Sequence, residues 1–282
     1  MLRHYAVALL LAVVASDPAL AAEKAESSGQ PRLAAPTRPV APRPSSAEAD
    51  SAAYERCMTL AKQDPAAGRD LAQSWQNRGG AHPAEHCFAV ALIGLKQYQE
   101  AAGRLETLAQ TMANGPAALR AEVLAQAAQA HLLAGDPARA YAATDAALAL
   151  RPDDPDLMIA DLLLDRAEAA GAAGWFDKAV ADLDRVLQTD PSRVDALIYR
   201  ASSYRAQARL DPALADIEKA LRLAPDSAPG LLERGNIRRM RGDLDGARRD
   251  WRRVAALAPG SAAETAAKAN LARLDVKDAP AR

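Results

Sequence analysis

The stretch RASSYRAQARLDPALADIEKALRLAP, residues 200–225, returns in modified form 34 residues later as RGNIRRMRGDLDGARRDWRRVAALAP, residues 234–259. Both stretches end in Leu-Ala-Pro and carry apolar residues at the three- and four-residue spacing of an amphipathic helix. Each is interrupted near its middle, which predicts the end of one helix, a short turn and a second helix. Self-similarity at this period indicates stacked copies of one small unit.

Outward from this stretch, the same residue roles recur in the neighbouring units. Four successive units close on Pro152, Pro191, Pro225 and Pro259. The second helix of each unit opens with a small residue, namely Ala140, Ala179, Ala213 and Ala247. Four positions later stand Thr144, Leu183, Ile217 and Trp251. A small residue lets two antiparallel helices approach closely and the larger one fills the space beyond, while proline ends a helix because it lacks the amide donor.

These roles resemble the tetratricopeptide repeat, a 34-residue helix-turn-helix unit with a small residue opening the second helix and a closing proline. The resemblance is specific from about residue 121 to 259. It implies an all-α fold, a right-handed α-solenoid of about six antiparallel helix pairs with a C-terminal capping helix. Two features depart from the usual pattern. The usual tryptophan of the first helix is replaced by Leu124, Leu163, Leu197 and Leu231, and the usual glycine remains only as Gly235.

Composition divides the chain into six parts. We expect a signal peptide at 1–21, a disordered Pro/Ala/Ser-rich linker at 22–50, degenerate helix pairs at 51–116, repeats at 117–259, a capping helix at 260–275 and a flexible tail at 276–282. Asp64-Pro65 predicts a helix start in the degenerate part. Ser261 and Glu264 form a capping-box pattern that opens the last helix.

The N-terminus has the pattern of an export signal. Arg3 precedes an apolar run at 6–15, and Ala-Leu-Ala at 19–21 is a signal-peptidase pattern. The alternative is an uncleaved anchor, but the apolar run is shorter than the roughly 20 residues that cross a bilayer. We therefore expect a periplasmic or secreted protein without an integral membrane span in the mature chain.

The following segment, 22–50, has five prolines, no aromatic residue and no apolar periodicity. Such a segment cannot bury enough surface to offset the entropy of ordering, so we expect a linker. A proline-rich recognition segment is the alternative.

Whole-chain composition disfavours several function classes. A net charge of −1 and only 4% aromatic residues provide little attraction or stacking for nucleic acid. The sequence shows neither a nucleophile signature nor a glycine-rich phosphate loop. We therefore expect no enzyme activity and no cofactor.

The two cysteines, Cys57 and Cys87, predict a disulfide in an exported protein, with two free buried thiols as the alternative. Residues 82–87, HPAEHC, place two histidines four apart, as in helical zinc sites. Pro83, however, puts His82 at the helix entry, and Cys87 is assigned to the disulfide. We therefore predict no metal site and a helix start with His86 facing a groove.

Charge is unevenly distributed. Residues 153–190 hold ten acidic and three basic side chains, whereas residues 234–253 hold eight arginines and three aspartates. This predicts an acidic middle and a basic end; the alternative is ordinary solvated helix faces, with arginines complementing helix dipoles. The interval from Pro152 to Pro191 is five residues longer than the next two, which predicts a lengthened first helix. Its residues 157–159 either contact a partner or cover the preceding pair.

The resemblance implies a concave groove that is lined by the first helix of each pair and binds a segment of another protein. The residues predicted to line it are His86, Val90, Ile93, Ala125, Gln129, Leu132, Leu164, Glu168, Ile198, Ser202, Arg205, Leu232, Asn236 and Arg239. The arginines predict a partner segment that is acidic toward the C-terminal end. The alternative is a self-associating structural or assembly factor of the cell envelope, and we expect a monomer or a weak homo-oligomer.

Overall fold

The computed structural model of the protein describes residues 46–150 and 155–277, and every regular element in these ranges is an α-helix. The predicted all-α solenoid is confirmed. The helices are α1 Ser46–Gln63, α2 Pro65–Gln76, α3 Ala81–Gly94, α4 Tyr98–Thr111, α5 Ala117–Leu133, α6 Pro137–Ala149, α7 Pro155–Ala172, α8 Phe176–Thr189, α9 Val194–Ala206, α10 Leu210–Leu223, α11 Ala228–Met240, α12 Leu244–Leu257 and α13 Ala262–Lys277.

Several sequence predictions concern residues outside the described part. The predicted signal peptide at 1–21, most of the predicted linker, the closing Pro152 and the end of the tail belong to this group. Helix α1 begins at Ser46, inside the segment predicted as linker, so the folded part starts five residues earlier than expected.

The predicted helix starts are present. The Asp64 side chain accepts a hydrogen bond from the Ala67 amide at 3.1 Å, and Pro65 is the first residue of α2. At α13 the Ser261 hydroxyl accepts from the Glu264 amide at 3.1 Å. The Glu264 carboxylate accepts from the Gly260 amide at 2.6 Å, one residue earlier than in the usual capping box.

Successive helices pack as antiparallel pairs, and the small residues at the crossings explain why. Ala140, Ala179, Ala213 and Ala247 have no exposed surface. Leu183, Ile217 and Trp251 are likewise fully buried four residues later. Each pair thus interlocks through a small residue beside a large one, as the sequence predicts.

The odd-numbered helices form the inner layer of the solenoid. Helices α5, α7, α9 and α11 each contact the next odd-numbered helix, as α1 contacts α3, whereas successive even-numbered helices make at most marginal contact. Elements that stay close from unit to unit lie on the shorter, concave side of a curved stack. The inner face is therefore built from the first helix of each pair.

Helix α7 has 18 residues, against 13 in each of α9 and α11, so the predicted lengthening is confirmed. Ile159 on the added turn is half-buried against the largest core cluster, which supports the covering role for this residue. The side chains of Leu157 and Met158 lie outside the described residues.

Each end of the described stack has a stabilising feature of its own. At the C-terminal end, Ala267 and Leu274 of α13 are buried in the core cluster that contains Trp251. At the N-terminal end, the predicted disulfide joins Cys57 of α1 to Cys87 of α3, with an Sγ–Sγ distance of 1.99 Å. Among the described helices, none has the length and apolar character needed to cross a membrane.

Candidate binding surface

The inner face carries most of the predicted groove residues with part of their surface accessible. The half-buried ones are Val90, Ile93, Ala125, Gln129, Leu132, Ile198, Ser202, Arg205, Leu232 and Asn236. Glu168 and Arg239 are exposed. Leu164 is only 1% exposed within the main core cluster, so the prediction that it contacts a partner is wrong. Leu164 packs among the core residues of this cluster instead of lying on the accessible face.

At the C-terminal end of this face, polar groups pair with one another. Arg205 donates from Nε to the carboxylate of Glu233, which is itself buried. Asn236 donates to the same carboxylate at 3.3 Å and accepts from Asn270 of α13 at 3.0 Å. The predicted basic end is therefore partly neutralised by internal contacts, and of its three predicted polar residues Arg239 is the exposed one.

The uneven charge seen in the sequence resolves into a series of ion pairs between helices. Three arginines 34 residues apart each bind an aspartate 16 residues further along with two hydrogen bonds of 2.7–2.9 Å. The pairs are Arg166–Asp182, Arg200–Asp216 and Arg234–Asp250. The hydrogen bonds to these aspartates raise the pKa of each arginine. These charges hold the inner helix of a pair to its outer partner, so they are not free patches for a ligand.

A cavity of about 650 Å³ opens between α1, α3, α5 and the end of α4 with its connection to α5. Its wall includes the apolar side chains of Leu108, Met112, Leu119 and Val123. Helices α3 and α5 are also the exception among successive inner helices of the described chain, because their backbones lack the close approach seen in the other pairs. The cavity occupies the resulting gap.

Three side chains bridge this gap. The Tyr54 hydroxyl lies 2.7 Å from Nδ1 of His86, and Nε2 of His86 lies 2.8 Å from Oε1 of Gln126. An amide oxygen only accepts, so Nε2 carries the proton and Nδ1 accepts from Tyr54. Burial lowers the pKa of His86, which keeps the ring neutral.

The same contacts engage His86 of the HPAEHC segment, one of the two histidines that have the spacing of metal ligands. Both ring nitrogens of His86 are engaged, Cys87 is in the disulfide and His82 is exposed. Among the described residues, no cluster of three or more His, Cys, Asp or Glu side chains has an arrangement suited to a metal ion. His86 does reach the inner face, at the cavity wall, but it is 7% exposed.

An acidic side chain, Glu122 of α5, stands beside the cavity. It neighbours the cavity-lining Val123 in sequence and is close enough to Tyr54 for its charge to act on the phenol. Burial raises the pKa of Glu122. Burial, and secondly the charge of Glu122, raise the pKa of Tyr54 to about 12. No hydrogen-bonding or ion-pair partner of the Glu122 carboxylate is found among the described residues.

Sequence reasoning missed Tyr54, Glu122 and Gln126. A signal was present for Glu122, which lies one helical turn before Ala125 on the stripe that continues to Gln129. Tyr54 and Gln126 contact a residue 32 and 40 positions away, in units too irregular for the repeat spacing to predict the pairing.

The connection between α4 and α5, which forms part of the cavity wall, is held by Arg120. Its guanidinium donates to the carbonyls of Ala109 and Ala113 at 3.2 and 3.3 Å, which satisfies acceptors at the end of α4. These hydrogen bonds fix the position of the connection and therefore of this part of the cavity wall.

The fold is that of tetratricopeptide-repeat domains. No protein-family model matches the sequence. Comparison with curated proteins likewise yields no match. Among solved structures, a crystal structure of the MamA protein superposes with a TM-score of 0.50 at 15% identity, covering 64% of this chain and 92% of that one.

Two further solved structures are similar to this chain. MamA from Desulfovibrio magneticus RS-1, residues 41 to the end, has a TM-score of 0.47 at 20% identity and covers 70% of this chain and 98% of its own. The second TPR domain of human RPAP3, in complex with an HSP70 peptide, has a TM-score of 0.38 at 24% identity and covers 42% of this chain and 96% of its own.

Proposed function

We propose that the protein is a non-enzymatic scaffold that binds a segment of another protein along the concave face of its odd-numbered helices. The observation that carries this proposal is the inner layer itself. From α3 to α11 it presents a succession of partly exposed side chains on a rigid framework. Such a surface supplies contacts without requiring chemistry from the protein.

The composition of this face indicates the kind of segment that fits. Val90, Leu132, Ile198 and Leu232 are apolar and half-buried, so they are suited to the apolar side chains of an extended or helical ligand. Toward the C-terminal end, the exposed Arg239 favours an acidic group on the ligand.

The proposed location is the periplasm or the exterior of the cell. The export-signal pattern at 1–21 supports it. The Cys57–Cys87 disulfide also supports it, because structural disulfides persist in oxidising compartments and are rare in the cytosol.

Site-specific photo-crosslinking in cells tests the face. A photoreactive residue replaces Ile198 or Leu232 on the inner helices, and the matched controls carry it at the exposed Arg222 or Arg249 on the outer helices. We expect a discrete adduct from the inner positions and none from the outer ones. Adducts from the outer positions alone would contradict the proposal.

The acidic preference is tested with Arg239→Glu, because Arg239 is exposed and its replacement leaves the internal pairs intact. We expect weaker capture of the crosslinked partner, with Arg249→Glu on α12 as the charge-matched control. Arg205→Glu is unsuitable because it would place a carboxylate against Glu233. Equal capture by both variants would remove the acidic preference and leave the inner-face proposal standing.

A second candidate function is self-association. Leu223 and Leu257, 34 residues apart at the ends of α10 and α12, are 49% and 42% exposed. Exposed apolar side chains of this kind favour contact with a further copy of the chain. Sedimentation velocity over a range of concentrations separates the candidates, since a concentration-independent monomer would exclude self-association as the function.

A further inference from the structure

The cavity between α1, α3 and α5 differs from the rest of the inner face. Elsewhere successive inner helices pack against each other, whereas here the backbones of α3 and α5 separate and the Tyr54–His86–Gln126 network spans the gap. Because these three polar groups satisfy one another, they fix the width of the gap without needing a ligand. The opening is thus already formed in the described structure.

The cavity wall combines an apolar surface with negative charge. Leu108, Met112 and Val123 are buried side chains that form part of its floor. Asp50 stands on its rim, and none of its lining residues is lysine or arginine. His86 does not balance these carboxylates, because the ring is neutral and both its nitrogens are engaged.

Glu122 adds a half-buried carboxylate beside this apolar floor. A charged group held partly out of water without a partner costs free energy, and it gains most from a cation that arrives with a ligand. Its pKa is already raised by burial, which is consistent with this cost. An anionic or purely apolar ligand would leave the carboxylate unpaired, so the free-energy cost of its burial would remain.

We propose that this cavity is the anchoring subsite of the groove: it takes one bulky apolar side chain of the bound segment, while Glu122 pairs with a lysine or arginine next to that side chain. The inference rests on the proposed function and specifies the ligand at the N-terminal end of the same face. A volume of about 650 Å³ is sufficient for an aromatic or large aliphatic side chain with its flanking backbone.

The test begins with an unbiased ligand source, a library of random peptides displayed on phage and selected on the purified full chain. We expect the selected peptides to place Phe, Trp, Leu or Met within one or two residues of Lys or Arg. Affinities of the selected peptides are then measured by fluorescence anisotropy. Replacing the peptide's basic residue by glutamate is expected to weaken binding about 10-fold or more, since a desolvated charged pair is lost.

Two variants examine the two halves of the subsite separately. Glu122→Gln removes the charge and is expected to weaken the binding of the basic peptides about 10-fold. Because burial of the charge is unfavourable, it should leave the thermal stability unchanged or higher, which distinguishes lost binding from lost folding. Thr111→Trp, at an exposed position on the cavity wall, is expected to block the apolar half.

Glu55→Gln is the matched control, because Glu55 is exposed on α1 beside Tyr54 but does not line the cavity. Glu122→Lys should reverse the preference and favour the peptide that carries glutamate. If Glu122→Gln and Thr111→Trp both bind the selected peptides as the native chain does, the subsite is wrong. If the crosslinked partner nevertheless competes with those peptides for binding to the chain, the proposed function stands. Failure to select any peptide, together with absent crosslinks from Ile198 and Leu232, would overturn both.

Discussion

At the residue scale, Gly235 shows how one position depends on the side chain opposite it. A Cβ added at Gly235 would lie 2.4 Å from Nε1 of the fully buried Trp251. In the preceding unit the equivalents of Gly235 and Trp251 are Ala201 and the smaller Ile217, both buried in the same core cluster. A large aromatic on the second helix therefore requires glycine on the first, and a smaller aliphatic residue leaves room for alanine.

Gly235→Ala is accordingly expected to destabilise the fold by about 1–3 kcal/mol through overpacking, despite the better helix propensity of alanine. Gly103→Ala is the matched control, because a Cβ at Gly103 in the interior of α4 meets nothing within 4 Å. It is expected to raise the stability by about 0.5–1 kcal/mol. Chemical denaturation of both variants measures the two effects; equal effects of the two substitutions would contradict the Gly235–Trp251 contact.

The buried His86 predicts a pH dependence of stability. Because its pKa is lowered from 6.5 in the folded protein, the unfolded chain binds more protons as the pH falls below that value. Its contribution to stability is therefore complete above pH 6.5 and is lost as the pH falls toward the lowered pKa, with a slope of at most about 1.4 kcal/mol per pH unit.

We expect His86→Gln to remove this part of the slope in urea denaturation between about pH 5 and 7. His82→Gln, at an exposed position, should retain it. An unchanged slope in His86→Gln would show that His86 is not buried in its neutral form.

Sequence reasoning at this scale succeeded where a residue's role repeats and failed where it does not. Ala213 and Ile217 recur in neighbouring units, so their burial could be predicted from spacing alone. The Arg200–Asp216 pair also recurs every 34 residues, but sequence reasoning followed only the apolar positions through the repeats and did not predict the pairing. Glu122 lies in a less regular unit, and its lack of a partner is visible only in three dimensions.

At the element scale, the turns within the helix pairs from α3–α4 to α11–α12 share one geometry. After α5, for example, Gly135 has a positive φ of 78°, and the next amide, that of Asp136, donates to the carbonyl of His131 at 2.8 Å. This is the usual helix C-terminus with a left-handed residue, for which glycine is preferred. After α9 the same place is taken by Ala208, with φ of 59°.

Ala208→Gly is expected to stabilise the protein by about 1 kcal/mol, because glycine adopts the left-handed conformation without a Cβ clash. Ala206→Gly, in the last turn of α9, is the control and should lower the stability, since glycine there only adds backbone entropy to the unfolded chain. Thermal denaturation compares the two variants. A loss of stability in Ala208→Gly would mean that this turn does not require a positive φ.

Helix lengths were more predictable than the consequences of changing them. The five extra residues of α7 follow from the proline spacing. Spacing could not show that Leu164 would be buried, because the exposure of a side chain depends on how its helix packs in three dimensions. The start of α1 at Ser46 was missed for a related reason: the helix begins in a segment whose composition resembles the preceding linker.

At the scale of the whole molecule, the stack is held mainly by contacts between neighbouring helices, so its stability is close to a sum of local terms. The disulfide between α1 and α3 therefore acts on the N-terminal units rather than on the whole chain. Closing a loop of this length restricts the unfolded state by about 3–4 kcal/mol in the entropic model.

Replacing both Cys57 and Cys87 by alanine is expected to accelerate hydrogen exchange in α1 to α4 and to leave α9 to α12 unchanged. The native chain under non-reducing conditions is the reference. A uniform acceleration in all helices would indicate a single cooperative unit and would contradict the description of a locally coupled stack.

The central claim is that the odd-numbered helices form the binding face. Hydrogen exchange of the full chain, with and without a saturating crosslink-identified or phage-selected segment, tests it most directly. We expect exchange to slow in the inner helices, α3, α5, α9 and α11, and to remain unchanged in the outer helices α8, α10 and α12. Protection confined to those outer helices, or no protection at saturation, would contradict the claim.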